Sequence, residues 1–160
     1  MNTTQHLKKI AKLLQKHQLK IATAESCTAG LLAYNLTTIP GSSNYFERGV
    51  ITYSNQSKHQ LLHIPQTLLT TYGAVSSEVA QAMAQSIQKI SNVDIGISTT
   101  GIAGPSGATK EKPIGLVYIA IATKKTFQVQ QYNFNKNRKE NQIQTCHEAL
   151  KLLLEMLNNW

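Results

Sequence analysis

Leu7, Ile10, Ala11 and Leu14 recur three and four residues apart, separated by Lys8, Lys9 and Lys12. That period gathers the apolar positions on one helix face and predicts a helix capped by Thr3 or Thr4 and running to about His17, which extends the face. Lys20-Ile21-Ala22-Thr23-Ala24 is too short for another helix and reads as a buried strand. Its end, Glu25-Ser26-Cys27-Thr28, leads into a second helix, Ala29 to Thr38, and Ile39-Pro40-Gly41-Ser42-Ser43 reads as a loop. Phe46 to Tyr53 has the β-branched and aromatic character of a strand. Ser54 then caps a short helix, about Asn55 to Leu62, and Pro65 opens another. Ser76 or Ser77, followed by Glu78, starts a helix through about Ile90 whose inner face is Val79, Met83, Ser86 and Ile87.

Val93 to Thr99 is apolar enough for a central strand, and a glycine-rich loop, Gly101 to Gly107, follows it. Ile114 to Thr123 and Thr126 to Phe134 read as strands with only Lys124-Lys125 between them, so they pair as an antiparallel hairpin. A final helix runs from about Arg138 to Leu157. Strands alternating with helices, then a hairpin, predict an α/β chain: a three-layer α/β/α arrangement around a mixed sheet. In such sheets sites gather beyond the carboxyl ends of the parallel strands. Three segments fall there: Glu25 to Thr28, Tyr53 to Lys58, and Thr100 to Gly107.

Composition narrows the picture. The 160 residues suit one domain, 1–160, and 41% hydrophobic residues can form a core without disulfides or a structural metal. No apolar run approaches the ~18 residues of a membrane span. The lysine-interrupted start is no signal peptide, so the expected location is the cytoplasm, with no membrane partner. Cys27 and Cys146 lie far apart and read as free thiols. The net charge of +8 suits an anionic ligand at a local site, nucleic acid, or a basic background. Aromatics at 6% make a poor stacking platform for single strands, and no recognition helix or other nucleic-acid motif is present.

Four positions carry candidate chemistry. Ser26 sits between a strand and a helix, where free N–H groups can hold an oxyanion; alternatively Ser26 or Thr28 is simply the cap of that helix. Cys27 is a rival nucleophile or a small core residue. Lys58 can take a proton from serine only if burial or nearby charge lowers its pKa; one of fourteen lysines is otherwise a surface residue. Thr100 to Gly107 can form an anion nest with Lys110 and Lys112 nearby, or a surface turn, and fits neither the P-loop nor the dinucleotide pattern. The five histidines form no metal motif, and His59 and His63, four apart, make a poor site alone.

Six segments in register resemble the carboxy-terminal domain family of the competence/damage-inducible protein CinA, which includes stand-alone nicotinamide-nucleotide amidohydrolases. They are Ala24-Glu25-Ser26-Cys27-Thr28, Gly41-Ser42-Ser43 with Phe46-Glu47-Arg48-Gly49, and Tyr53-Ser54-Asn55 with Lys58. Gly73-Ala74-Val75-Ser76, Gly101-Ile102-Ala103-Gly104-Pro105 and Lys112-Pro113-Ile114-Gly115 complete the set. The chain departs from the family pattern at Ala29 and Ala108, where glycine is usual, and at Lys136-Asn137 in place of Gly-Asp.

The resemblance implies a mixed, mostly parallel five-stranded sheet. It implies deamidation of nicotinamide mononucleotide to nicotinate mononucleotide and ammonia, a step of pyridine nucleotide salvage, by a serine–lysine pair without metal or cofactor. Ser26 is then the nucleophile and Lys58 its base, with Tyr53 and Thr100 assisting and Arg138 binding substrate. N–H groups around Cys27 and Thr28 would hold the oxyanion. Gly101, Gly104, Gly107 and Lys112 join Arg138 as candidates for the phosphate of this small-molecule nucleotide, and a homodimer is the default assembly. Two other functions remain open: a catalytically silent nucleotide-binding module, and a competence- or DNA-damage-associated module.

Overall fold

The computed structural model describes residues 3–160. Its elements are α1 (Thr3–Lys16), β1 (Ile21–Glu25), α2 (Leu31–Thr37), β2 (Phe46–Ile51), α3 (Asn55–Leu62), α4 (Gln66–Tyr72), α5 (Ser77–Ile90), β3 (Ile95–Gly101), β4 (Leu116–Thr123), β5 (Phe127–Asn133) and α6 (Arg138–Asn158). One five-stranded sheet has the order β2-β1-β3-β4-β5. The β2–β1 and β1–β3 pairs are parallel, and the β3–β4 and β4–β5 pairs are antiparallel. Four strands therefore run one way and β4 alone runs back. Among the described residues no helix is long and apolar enough to cross a membrane.

Side chains alternate across a strand, and here the two faces differ in size. Ile21, Ile95, Ile97, Ile119 and Ile121 point to one face and pack against Leu7, Ile10 and Leu14 of α1, Leu32 and Leu36 of α2, and Leu150 and Leu153 of α6. Each such burial contributes roughly 1.5–3 kcal/mol. The other face carries the small residues Ala22, Ala24, Gly96, Ser98, Ala120 and Ala122. That smooth surface lets α5 lie close. A Cβ on Gly96 would run into the Ala84 carbonyl, and Ser98 donates its hydroxyl to the Ala80 carbonyl at 2.6 Å. Ala22 and Ala24 also meet Leu62 of α3 and Leu69 of α4, completing that layer.

Several boundaries differ from the sequence expectation for tertiary reasons. Thr3 and Thr4 are helical rather than capping, and α1 ends at Lys16, with His17 beyond it. Val93 belongs to the turn after α5, its N–H donating to the Gln88 carbonyl. Strand β3 instead extends through Thr100 and Gly101, which pair with Tyr118 and Val117 of β4. Helix α2 begins at Leu31, not Ala29, for a reason that lies in the site itself.

Candidate active site

The alternation of β1 sets the site. Ala22 and Ala24 face α3 and α5, so Ser26, next in that register, turns toward α3, while Glu25 turns toward α2. The Ser26 N–H extends the β1–β3 ladder, donating to the Thr99 carbonyl at 2.9 Å. Helix α3 starts at a reciprocal cap between Ser54 and Ser57, and Lys58 is the next residue. Its side chain runs inward, and only 1% of the residue is exposed. Lys58 Nζ lies 3.0 Å from Ser26 Oγ, 2.8 Å from the Thr52 carbonyl and 3.3 Å from the Tyr53 carbonyl. Burial disfavours the charged amine and lowers its pKa from 10.5 to about 8.

Cys27, beside the serine, is in a different state. Burial pushes its thiol up to about 12, and the Glu25 charge acts in the same direction, against a hydrogen bond with Thr99. At neutral pH it is a protonated thiol, the less reactive form. The Thr28 hydroxyl donates to Glu25 Oε2 at 2.6 Å and lies 2.7 Å from Thr99 Oγ1.

The turn from Ser26 to Gly30 corrects the expectation of a helix capped by Ser26 or Thr28. Ala29 and Gly30 both have positive φ, 51° and 96°, and no side chain at Gly30 caps α2. The cap comes from five residues upstream. Glu25 accepts from the N–H groups of Gly30 at 2.9 Å, Leu32 at 3.0 Å and Ala33 at 2.8 Å. The helix N-terminus behind the serine is therefore already filled by a carboxylate. The N–H groups of Cys27 and Thr28, by contrast, donate to no backbone carbonyl among the described residues. Glutamate's place at a strand end, ahead of a helix whose start offers only Ala-Gly, was the available sequence signal for this role.

Three segments close over this end of the sheet. Arg138, the first residue of α6, donates to the Gly104 carbonyl and to the Tyr53 hydroxyl, both at 2.7 Å. It thereby joins the β2–α3 loop to the glycine segment. Tyr53 is 57% exposed. Thr100 is buried, and its hydroxyl donates to the Ala74 carbonyl at 2.7 Å. Lys112 is spent on the end of α4, its Nζ 2.6 Å from the Tyr72 carbonyl. Gly101 and Gly104 serve close packing within the chain: a Cβ would lie 2.6 Å from the Val117 side chain at Gly101 and 2.7 Å from that of Ile114 at Gly104. Gly107 is exposed. Two polar residues of α6 went unread in the sequence. Asn141 donates to the Ala103 and Lys136 carbonyls at 3.0 Å each, and Gln142 to the Cys27 carbonyl at 3.0 Å.

Two clefts open beside the first turn of α6, and neither is lined by Ser26 or Lys58. One, about 540 Å³, is lined by Thr28, Gly30, Tyr34, Lys139 and Ile143. The other, about 500 Å³, is lined by Ala103, Gly104, Ile114, Lys136 and Arg138. A larger hollow of about 870 Å³ lies at the β4–β5 turn, among Asp94, Phe127 and Trp160, at the other end of the sheet and away from this chemistry. Among the described residues no three His, Cys, Asp or Glu side chains gather in a way that could hold a metal ion.

The family described as the CinA C-terminal domain matches residues 3–157. A putative competence-damage inducible protein of Thermoanaerobacter pseudethanolicus is 45% identical over 148 residues, covering 92% of this chain and 36% of the relative. A CinA-like protein of Geotalea uraniireducens is 48% identical over 148 residues, covering 92% of this chain and 35% of the relative. The chain thus spans about a third of the length of these curated relatives. The crystal structure of the competence/damage inducible protein CihA of Agrobacterium tumefaciens superposes with a TM-score of 0.93 at 36% identity, covering 98% of this chain and 95% of that one. A CinA superfamily protein of Klebsiella pneumoniae gives 0.95 at 29% identity, with both chains fully covered.

Proposed function

This chain belongs to the CinA C-terminal domain family, and on that premise we propose that it is an amidohydrolase that converts nicotinamide mononucleotide to nicotinate mononucleotide and ammonia. The observation that carries the reading is the buried contact of Lys58 Nζ with Ser26 Oγ at 3.0 Å. A neutral amine has two N–H bonds and one lone pair. The carbonyls of Thr52 and Tyr53 take the two N–H bonds, which leaves the lone pair for the serine proton.

Ser26 Oγ then attacks the carboxamide carbon while its proton passes to Lys58. In this reading the N–H groups of Cys27 and Thr28 receive the negative charge on the oxygen, each such donor being worth about 3–4 kcal/mol. As the C–N bond breaks, Lys58 delivers its proton to the nitrogen and ammonia leaves. Water, with Lys58 again as base, opens the acyl-serine ester and releases the carboxylate and the free serine. Arg138, with Lys136 lining the same cleft, supplies positive charge for the nucleotide phosphate. In this reading the enzyme serves pyridine nucleotide salvage.

Ammonia release by purified protein supplied with nicotinamide mononucleotide tests the reaction. Ser26→Ala should abolish it with the fold intact, and Cys27→Ala should retain most of it. Turnover by Ser26→Ala above about one per cent would remove the serine from the mechanism, since losing a nucleophile costs far more.

A further inference from the structure

Glu25 is the one charged residue of the nucleophile segment that the chemistry above leaves unused. It is 1% exposed, and no cation lies within ion-pair distance among the described residues. An isolated carboxylate there would be costly to bury. Five donors compensate it. Oε2 accepts from the Thr28 hydroxyl at 2.6 Å, the Gly30 N–H at 2.9 Å and the Leu32 N–H at 3.0 Å. Oε1 accepts from the Ala33 N–H at 2.8 Å and the Thr23 hydroxyl at 3.4 Å.

These bonds do more than start a helix. An Asp or Ser at the usual cap position would satisfy α2 without constraining what precedes it. A cap that reaches from the strand end clamps both ends of the intervening turn. That turn holds Ser26, the N–H groups of Cys27 and Thr28, which reach no backbone carbonyl among the described residues, and two consecutive left-handed residues, Ala29 and Gly30. Left-handed backbone at an alanine persists only where its surroundings impose it.

We propose that Glu25 is the positioning residue of this site: its carboxylate locks the Ser26–Gly30 turn so that the serine hydroxyl meets Lys58 and the N–H groups of Cys27 and Thr28 face the oxyanion. The inference rests on the serine–lysine reading of the site.

The test compares wild type with Glu25→Gln, which keeps the shape but turns an amide N–H₂ toward backbone donors. With nicotinamide mononucleotide, kcat should fall at least 30-fold while KM stays within about threefold. Labelling of Ser26 by a fluorophosphonate, mapped by mass spectrometry, should slow at least tenfold. A role confined to stability would lower Tm and leave kcat and the labelling rate of the folded protein unchanged, and that result overturns the proposal. Loosening the turn would also uncover the buried Cys27, so its alkylation by iodoacetamide should become at least fivefold faster, and an unchanged rate also overturns the proposal. If wild type does not react at Ser26, the serine–lysine reading fails, and the Cys27 rate still decides the role of Glu25. If Glu25→Gln does not fold, Thr28→Val removes one of the five donors. A three- to tenfold slower kcat at constant KM then supports the proposal, and wild-type kcat overturns it.

Discussion

A lysine in water keeps its proton to about pH 10.4. Lys58, walled in behind Ser26, is pushed by burial to about 8. Roughly one molecule in ten is then neutral at pH 7, against fewer than about one in a thousand for a free lysine. We expect kcat/KM to rise about tenfold from pH 7 to a plateau above pH 9. Lys58→Arg should be as inactive as Lys58→Ala, because a guanidinium keeps its proton across this range. A flat pH profile, or an active Lys58→Arg, would assign the base elsewhere. The same residue sets a stability signature. Its folded pKa lies below its unfolded one, so between about pH 8 and 10.5 the unfolded chain binds more protons. Stability should therefore rise with pH through that window, by about 3 kcal/mol relative to Lys58→Met. Denaturant titrations of the two proteins at pH 7.5 and 10.5 measure the difference. Ala29 offers a second check. Its φ of 51° costs roughly 1–2 kcal/mol for a residue with a Cβ, and its methyl group is exposed. Ala29→Gly should stabilise by up to about 1 kcal/mol, the remainder being offset by the freer unfolded chain. A measured loss of stability would show that the turn does not strain the alanine.

Helix starts deliver the functional side chains. Helix α3 is fixed by Ser54 and Ser57, and Lys58 follows within its first turn. Helix α6 is fixed by Asn137, whose side chain accepts from the Glu140 N–H at 3.0 Å, while Glu140 reaches back to the Asn137 N–H. Arg138 sits between these two residues and spans the gap to Tyr53. Losing such a cap costs about 1 kcal/mol. Asn137→Ala should destabilise the protein by about that amount and raise KM for nicotinamide mononucleotide more than it lowers kcat, since the fraying reaches Arg138 and leaves Lys58 in place. An unchanged KM would separate Arg138 from substrate binding. Lys136-Asn137 stands in place of the Gly-Asp of the family pattern, yet Asn137 still starts the helix at the arginine.

For the whole molecule, a net charge of +8 should draw in an anionic nucleotide over a range set by salt. Raising ionic strength from about 20 to 500 mM should lower kcat/KM for nicotinamide mononucleotide several-fold, mainly through KM. Nicotinamide riboside, which lacks the phosphate, should react far worse, because binding energy at a remote group supports chemistry at the carbonyl. Equal kcat/KM for the two substrates would remove the phosphate role from Arg138 and its neighbours.

Much of this was legible in one dimension. The 3.6-residue period of α1, the short apolar runs of β1 and β3, the two-residue link before β5 and the serine caps are local signals, written within a few residues of what they specify. The strand-end reading put Ser26, Tyr53, Lys58 and Thr100 at one end of a mixed sheet, and the family resemblance added Arg138; Lys58 meets Ser26 and Arg138 meets Tyr53. What the sequence could not state is anything that depends on burial or on partners far along the chain. Only packing shows that one lysine of fourteen is buried and another, Lys112, is tied to α4. Only packing buries the Cys27 thiol and extends β3 to meet β4. The sharpest case is α2. Its sequence offered Ser26 or Thr28 as the cap, yet the cap came from Glu25, across a turn whose left-handed residues only the folded chain holds in place.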